Sequence, residues 1–140
     1  YKKRVNFKEV LKSAVADRQL IRAIGYVIQT ETGEERLFFE ALTKIGIELK
    51  IKDLQIFPGG LKKADWDVGL AIDGVRLADS AIDALVLITG DGDFVPLVEY
   101  IKSKGRKVEV LAFGQSTSSK LKESADEFTD LGENPKRFLM

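Results

Sequence analysis

The chain has 140 residues, 44% of them hydrophobic, and its 22 basic residues balance 22 acidic ones to a net charge of +0. That is enough chain for one domain with a proper core, and the balance supplies no global field toward nucleic acid or membrane. Cysteine and histidine are both absent, which excludes disulfides, thiol catalysis, Ser-His-Asp and Cys-His pairs and nearly all zinc catalysis, so any hydrolysis must run on carboxylates, metal and water.

No apolar run reaches the length of a membrane span, and Tyr1-Lys2-Lys3-Arg4 is not followed by the apolar segment of a signal peptide. A reducing, cytoplasmic setting is the expectation that fits. The chain opens on Tyr1 rather than methionine, and a native segment is expected ahead of it.

From Phe7 to about Ala16, the apolar residues Phe7, Val10, Leu11 and Ala14 keep helical spacing behind Asn6 as an N-cap. Residues 20–28 are β-rich and closed by the polar run Gln29 to Glu34, which reads as strand then loop. Phe38, Phe39, Leu42 and Ile45 carry a helical stripe that ends at Gly46. Ile47, Leu49 and Ile51 alternate with Glu48, Lys50 and Lys52, the pattern of a half-exposed strand near a sheet edge. Phe57 to Lys63 is expected as a loop. Residues 65–81 are expected as a helix, with Val68, Ala71, Ile72, Val75 and Ala78 on one broad face.

The segment Ala84-Leu85-Val86-Leu87-Ile88 is an uninterrupted apolar run that ends abruptly in Thr89-Gly90-Asp91-Gly92-Asp93. Such a run is the signature of a strand buried on both faces of a parallel sheet, and ligands of open α/β sheets sit outside the carboxyl ends of the strands. Phe94, Leu97, Val98 and Ile101 then fall at i, i+3, i+4 and i+7, so the unit is strand, acidic loop, helix. Another buried strand, 108–113, ends in a second polar loop, Gly114 to Ser119. A short helix near Lys120–Ser124 and a strand near 128–131 follow. Alternation of this kind predicts a doubly wound α/β fold with right-handed crossovers.

Asp91 and Asp93, two residues apart between glycines, suit a hard cation, which prefers carboxylate oxygen. Their structural alternative is capping, with Asp93 as N-cap of the helix and Asp91 as a solvated turn residue. Asp67 sits in the first turn of the preceding helix, where the helix dipole alone favours a carboxylate. Asp73 lies roughly 120° away around that helix and cannot point at the same spot. Lys62 and Lys63 are the basic pair placed to hold a phosphate backbone near the acids. Ser116, with Thr117 to Ser119, belongs to a loop that should open on the same rim.

Lys63 to Asp73 (KADWDVGLAID), Leu87 to Val98 (LITGDGDFVPLV), Gly105 to Val110 (GRKVEV), and then Ser119, Leu121, Ala125, Asp126 and Phe128 closely resemble the NYN domain of the LabA-like group. That group belongs to the PIN-like nuclease superfamily. The resemblance implies a three-layer α/β/α sandwich with a mainly parallel, Rossmann-like sheet, formed as a single domain by residues 1–140. It also implies a metal-dependent ribonuclease that cleaves RNA with Mg2+ or Mn2+. Asp67, Asp91 and Asp93 would be its catalytic and metal-binding acids, Thr89 a supporting hydroxyl, and Asp73 a recurrent family position without an established ligand role; Lys62, Lys63 and Ser116 would face RNA. The family's first strand carries a further aspartate followed shortly by an asparagine, and that strand is expected upstream of Tyr1.

Two other readings stand beside it. A haloacid dehalogenase-like phosphatase also carries Gly-Asp-Gly before another aspartate, but needs an Asp-x-Asp nucleophile directly after its first strand, a position that no segment here supplies. A domain of this fold can also bind RNA or a protein without turnover, and strands such as 47–52 could pair two copies into a homodimer.

Overall fold

The computed structural model describes residues 4–30, 32–56, 62–63 and 66–140, with only the backbone described at 55, 56, 62 and 63. The chain forms two compact units, one made of residues 1–18 with 71–140 and the other of residues 19–70.

The first unit is built on a three-stranded parallel sheet of β5 (Ala84–Leu87), β6 (Lys107–Ala112) and β7 (Glu127–Asp130), with β6 in the middle. Ala84 registers with Lys107, and Glu109 with Glu127. The crossovers are α4 (Val95–Ser103) and α5 (Ser119–Ser124). Every residue of β6 from Val108 to Ala112 is buried, as expected of a parallel strand covered on both faces. On one face Leu111 packs with Val10 and Ala14 of α1 (Phe7–Val15) and with Leu131 and Phe138. Val108 and Val110 point the other way, where α4 lies against β6 and brings the buried Leu97, Val98 and Ile101. Helices on both faces make this unit a three-layer α/β/α arrangement.

Asn6 caps α1 as expected, its side chain accepting the Glu9 N–H at 3.3 Å. A last short helix, α6 (Pro135–Phe138), was not anticipated, because four residues are too few to show a stripe. Its end meets the beginning of the unit: the Asn6 N–H donates to the Phe138 carbonyl at 2.7 Å, and Val5 bridges Leu139 antiparallel.

Glu109 is the charged residue inside β6, 9% exposed. It is tolerated there because Arg18 reaches it with both terminal nitrogens, one at 3.2 Å, while also donating to the Ala14 carbonyl at 2.7 Å. The guanidinium holds the Glu109 carboxyl below its ordinary range, against the opposing effect of burial. Lys102, Lys104, Arg106 and Lys107 gather at the end of this sheet away from the acidic loop. Arg106 donates to the Ala78 and Ser80 carbonyls at 3.1 and 2.8 Å, and Lys102 to the Ser124 carbonyl at 3.0 Å. Arg106 and Lys102 thus satisfy the carbonyl ends of helices, while Lys104 pairs with Asp79 and Lys107 with Glu109 and Glu127.

The second unit holds β1 (Ile24–Gln29) and β2 (Glu48–Asp53), paired parallel in register from Ile24 and Glu48 to Gln29 and Asp53. Between them runs α2 (Arg36–Lys44), followed by Gly46 at φ 101°, a left-handed backbone that favours glycine and ends the helix. Beyond β2, β3 (Gln55–Ile56) pairs antiparallel with β4 (Lys62–Lys63). Lys62 and Lys63 are therefore strand rather than loop, while residues 57–61 lie outside the described residues. The unit boundary falls after Leu70, inside the unbroken helix α3 (Asp67–Ala78). Parallel strands alternating with helices are thus present as expected of an α/β fold, distributed over two parallel sheets. Among the described residues, no helix is long and apolar enough to cross a membrane.

Candidate metal centre

At the carboxyl end of β5 the chain turns through Thr89 to Asp91 and enters a single 3-10 turn, Gly92–Phe94, before α4 begins at Val95 with Pro96 in its first turn. The Asp91 carboxylate caps this turn: its Oδ1 accepts the Asp93 N–H at 2.9 Å. The capping aspartate is thus Asp91, not Asp93 as the sequence suggested. The extra 3-10 turn shifts the start of helical backbone and brings the Asx-turn geometry onto the earlier residue. One oxygen of Asp91 is engaged in this way, while its other oxygen keeps its lone pairs. The Thr89 hydroxyl accepts the Asp91 N–H at 3.3 Å, so Thr89 supports the backbone from which Asp91 projects. Asp91 and Asp93 are both exposed, and Phe94, 4% exposed, roots the loop in the core.

Asp67 is half-buried in the first turn of α3. Its neighbour Trp66 anchors that turn: the indole N–H donates to the Val27 carbonyl at 2.9 Å, and the ring lies 5.5 Å from that of Tyr26, with Lys52 Nζ 4.4 Å from its centroid. The Trp66 carbonyl accepts the Leu70 N–H at 2.8 Å. Gly69 completes the arrangement, since a Cβ there would sit 2.7 Å from Trp66 Cε3. Neither Trp66 nor Gly69 stood out as a site residue in the sequence. The available signal was a glycine one helical turn after a tryptophan, at a position where helices disfavour glycine.

One carboxylate oxygen from each of Asp67, Asp91 and Asp93 lies within 4.8 Å of the other two. At that spacing each pair of charges repels by about 1 kcal/mol even at the dielectric constant of water, a cost that a bound cation removes. The donors are all oxygen and partly open to solvent, which suits a hard divalent ion that keeps water or substrate in its remaining positions. Asp73, half-buried on α3, is not among the three. Ser116 is exposed on the loop after β6, its hydroxyl donating to the Phe113 carbonyl at 3.3 Å. The side chains of Lys62 and Lys63 lie outside the described residues.

The sequence pattern of the NYN domain matches residues 1–132. Low amplitude and bright protein LabA of Synechococcus elongatus is 25% identical over 121 residues, 82% of this chain and 64% of LabA. An uncharacterized protein of Methanocaldococcus jannaschii is 31% identical over 111 residues, 79% of this chain and 42% of that protein. The chain therefore spans 64% and 42% of these two relatives' lengths. The crystal structure of a protein of unknown function from Vibrio parahaemolyticus matches at a TM-score of 0.88 and 30% identity, covering 100% of this chain and 85% of that one. PIN-like nucleases commonly use divalent metals, and the acidic cluster that such use requires is present here. With the domain pattern matched over most of its length and LabA among its relatives, the chain belongs to the NYN domain family, in its LabA-like group.

Proposed function

We propose that this chain is a metal-dependent ribonuclease domain that hydrolyses RNA phosphodiester bonds, with Asp67, Asp91 and Asp93 as its catalytic, metal-binding carboxylates. The observation that carries this reading is the convergence of the three carboxylate oxygens within 4.8 Å at the carboxyl end of a parallel strand. Mg2+ or Mn2+ fits the all-oxygen donor set. When bound, such an ion polarises a phosphate oxygen and makes a bound water more acidic.

The chain's own residues supply the rest. Asp91 spends one oxygen on the Asp93 N–H and so presents the other in a fixed direction. Thr89 holds the Asp91 backbone, and Asp73 lies further along α3 as a supporting acid outside the cluster. Lys62, Lys63 and the exposed Ser116 are the proposed contacts to RNA phosphates. With no histidine in the chain, proton transfer falls to the aspartates and water. The activity belongs in the cytoplasm, where a chain without cysteine is at no disadvantage.

The test is cleavage of single-stranded and hairpin RNA in Mn2+, with Asp91→Asn prepared identically. Metal-dependent cleavage reduced at least a hundredfold by the substitution, with unfolding temperature retained, is the expected result. Cleavage no greater than that of the variant on several RNAs would leave RNA or protein binding without turnover as the better reading, to which the balanced net charge already lends weight.

A further inference from the structure

The acidic loop is not free to choose its shape, because it leans on the loop that follows β6. The Ser118 N–H donates to the Gly90 carbonyl at 3.0 Å. A Cβ on Gly90 would lie 2.9 Å from Thr117 Oγ1 and 3.2 Å from the Ser116 carbonyl oxygen, and a Cβ on Gly92 would lie 2.7 Å from Ser118 Oγ. The two glycines are thus required by close approach of one loop to the other.

The supporting loop is itself fixed from several sides. Asp130 Oδ1 accepts the N–H groups of Gly114 and Gly132, each at 2.8 Å. Lys122 Nζ donates to the Gly114 carbonyl at 3.0 Å. The Thr117 hydroxyl donates to the Phe113 carbonyl at 2.7 Å, and the residue is only 9% exposed. Ser118 caps α5, its Oγ accepting the Leu121 N–H at 3.4 Å. A loop held by this many bonds is the stiffer partner, so it dictates where Gly90 and Gly92 lie, and with them Asp91 and Asp93.

We propose that Thr117 and Ser118 are positioning residues: their segment sets the separation of the Asp91 and Asp93 carboxylates, and thereby the affinity for the divalent ion, without touching it. This rests on the metal-binding reading of the cluster. A site whose ligands are held in place by a surrounding shell spends less of its binding energy on ordering them.

The test is Mn2+ affinity, followed by the electron paramagnetic resonance of free Mn2+ and so independent of turnover, together with metal-free thermal unfolding. Ser118→Ala removes the cap and keeps the N–H. Ser118→Pro removes both, and φ −57° at Ser118 with ψ 133° at Thr117 already suits proline. Ser118→Pro is expected to bind Mn2+ at least tenfold more weakly than Ser118→Ala at similar unfolding temperature. Gly92→Ala is expected to weaken binding similarly, and Gly92→Ala with Ser118→Gly to recover most of the loss by vacating the clashing atoms.

Affinity within twofold between Ser118→Pro and Ser118→Ala, with wild-type binding intact and no recovery in the double variant, would overturn the inference while leaving the metal site standing. Wild-type protein that takes up Mn2+ no better than Asp91→Asn would overturn the metal reading and this inference with it. Should Ser118→Pro fail to fold, the Gly92→Ala pair decides alone.

Discussion

The two units use the same βαβ logic to very different depths. In the first, β6 has a partner on either side and helices on both faces, and it buries five consecutive residues, Val108 to Ala112. Among the described residues of the second, β1 and β2 have only each other, no residue of either strand is fully buried, and Leu42 is the only buried hydrophobic side chain. A third strand and a second covering layer separate a stable parallel sheet from a marginal ribbon. The supports of the acidic residues differ in the same way. Asp91 and Asp93 stand on a loop bonded to a packed sheet, whereas Asp67 follows a tryptophan anchored to a half-exposed strand.

The sharpest way to break this comparison is to hollow out each unit in turn. Leu111→Ala, at 1% exposure in the middle strand, should lower unfolding free energy by about 3–4 kcal/mol in urea titration; a loss below about 1 kcal/mol would show that the first unit does not depend on its sheet. Leu42→Ala should cost less, about 2 kcal/mol. Its signature should be faster amide hydrogen exchange over residues 24–53, with protection in β6 unchanged. Equal acceleration in both units would mean that they open together.

Ion pairs sharpen the comparison at smaller scale. Glu109, buried, is held below its ordinary carboxyl range chiefly by Arg18, whereas Glu48 is depressed by Arg22 in an exposed pair at 2.8 Å. A carboxylate whose folded value is depressed contributes stability above its unfolded value, and that contribution is lost as pH falls from there through the folded value. Glu109→Gln should therefore destabilise by about 2 kcal/mol at neutral pH and flatten the loss of stability below pH 4.5, the ordinary value for glutamate. Glu48→Gln should leave the unfolding temperature unchanged within error at physiological salt, since exposed pairs are screened. A large effect of Glu48→Gln would erase the distinction.

Much of the first unit was legible because apolar runs and stripes leave an unmistakable mark, although burial on both faces holds for β6 alone: in β5, at the edge of its sheet, Leu85 and Leu87 are buried while Ile88 is 50% exposed. The apolar runs at 84–88 and 108–113 and the stripe Phe94, Leu97, Val98, Ile101 became β5, β6 and α4 with shifts of a residue or so. The half-exposed second unit was read less exactly: the strand expected over 20–28 begins only at Ile24, because Leu20 and Ile21 are exposed. Asp91 and Asp93 advertised themselves by position, but which of them caps depended on a 3-10 turn that leaves no periodic trace. Trp66, Gly69, Thr117 and Ser118 matter through contacts to residues distant in sequence or through close backbone approach. A linear pattern does not carry that information.

The knitting of Asn6 to Phe138 and of Glu9 to Arg137 has a consequence for synthesis. Glu9 and Arg137 are 128 positions apart, and at 5–20 residues per second a ribosome takes about 6–25 s to travel that distance. For most of that interval α1, with its apolar Val10 and Ala14, has neither Leu111 nor α6 to cover it, and residues 19–70 are complete before either is made. Helix α1 is therefore made well before the surfaces it docks on, and waits as an unpaired amphipathic segment until they arrive.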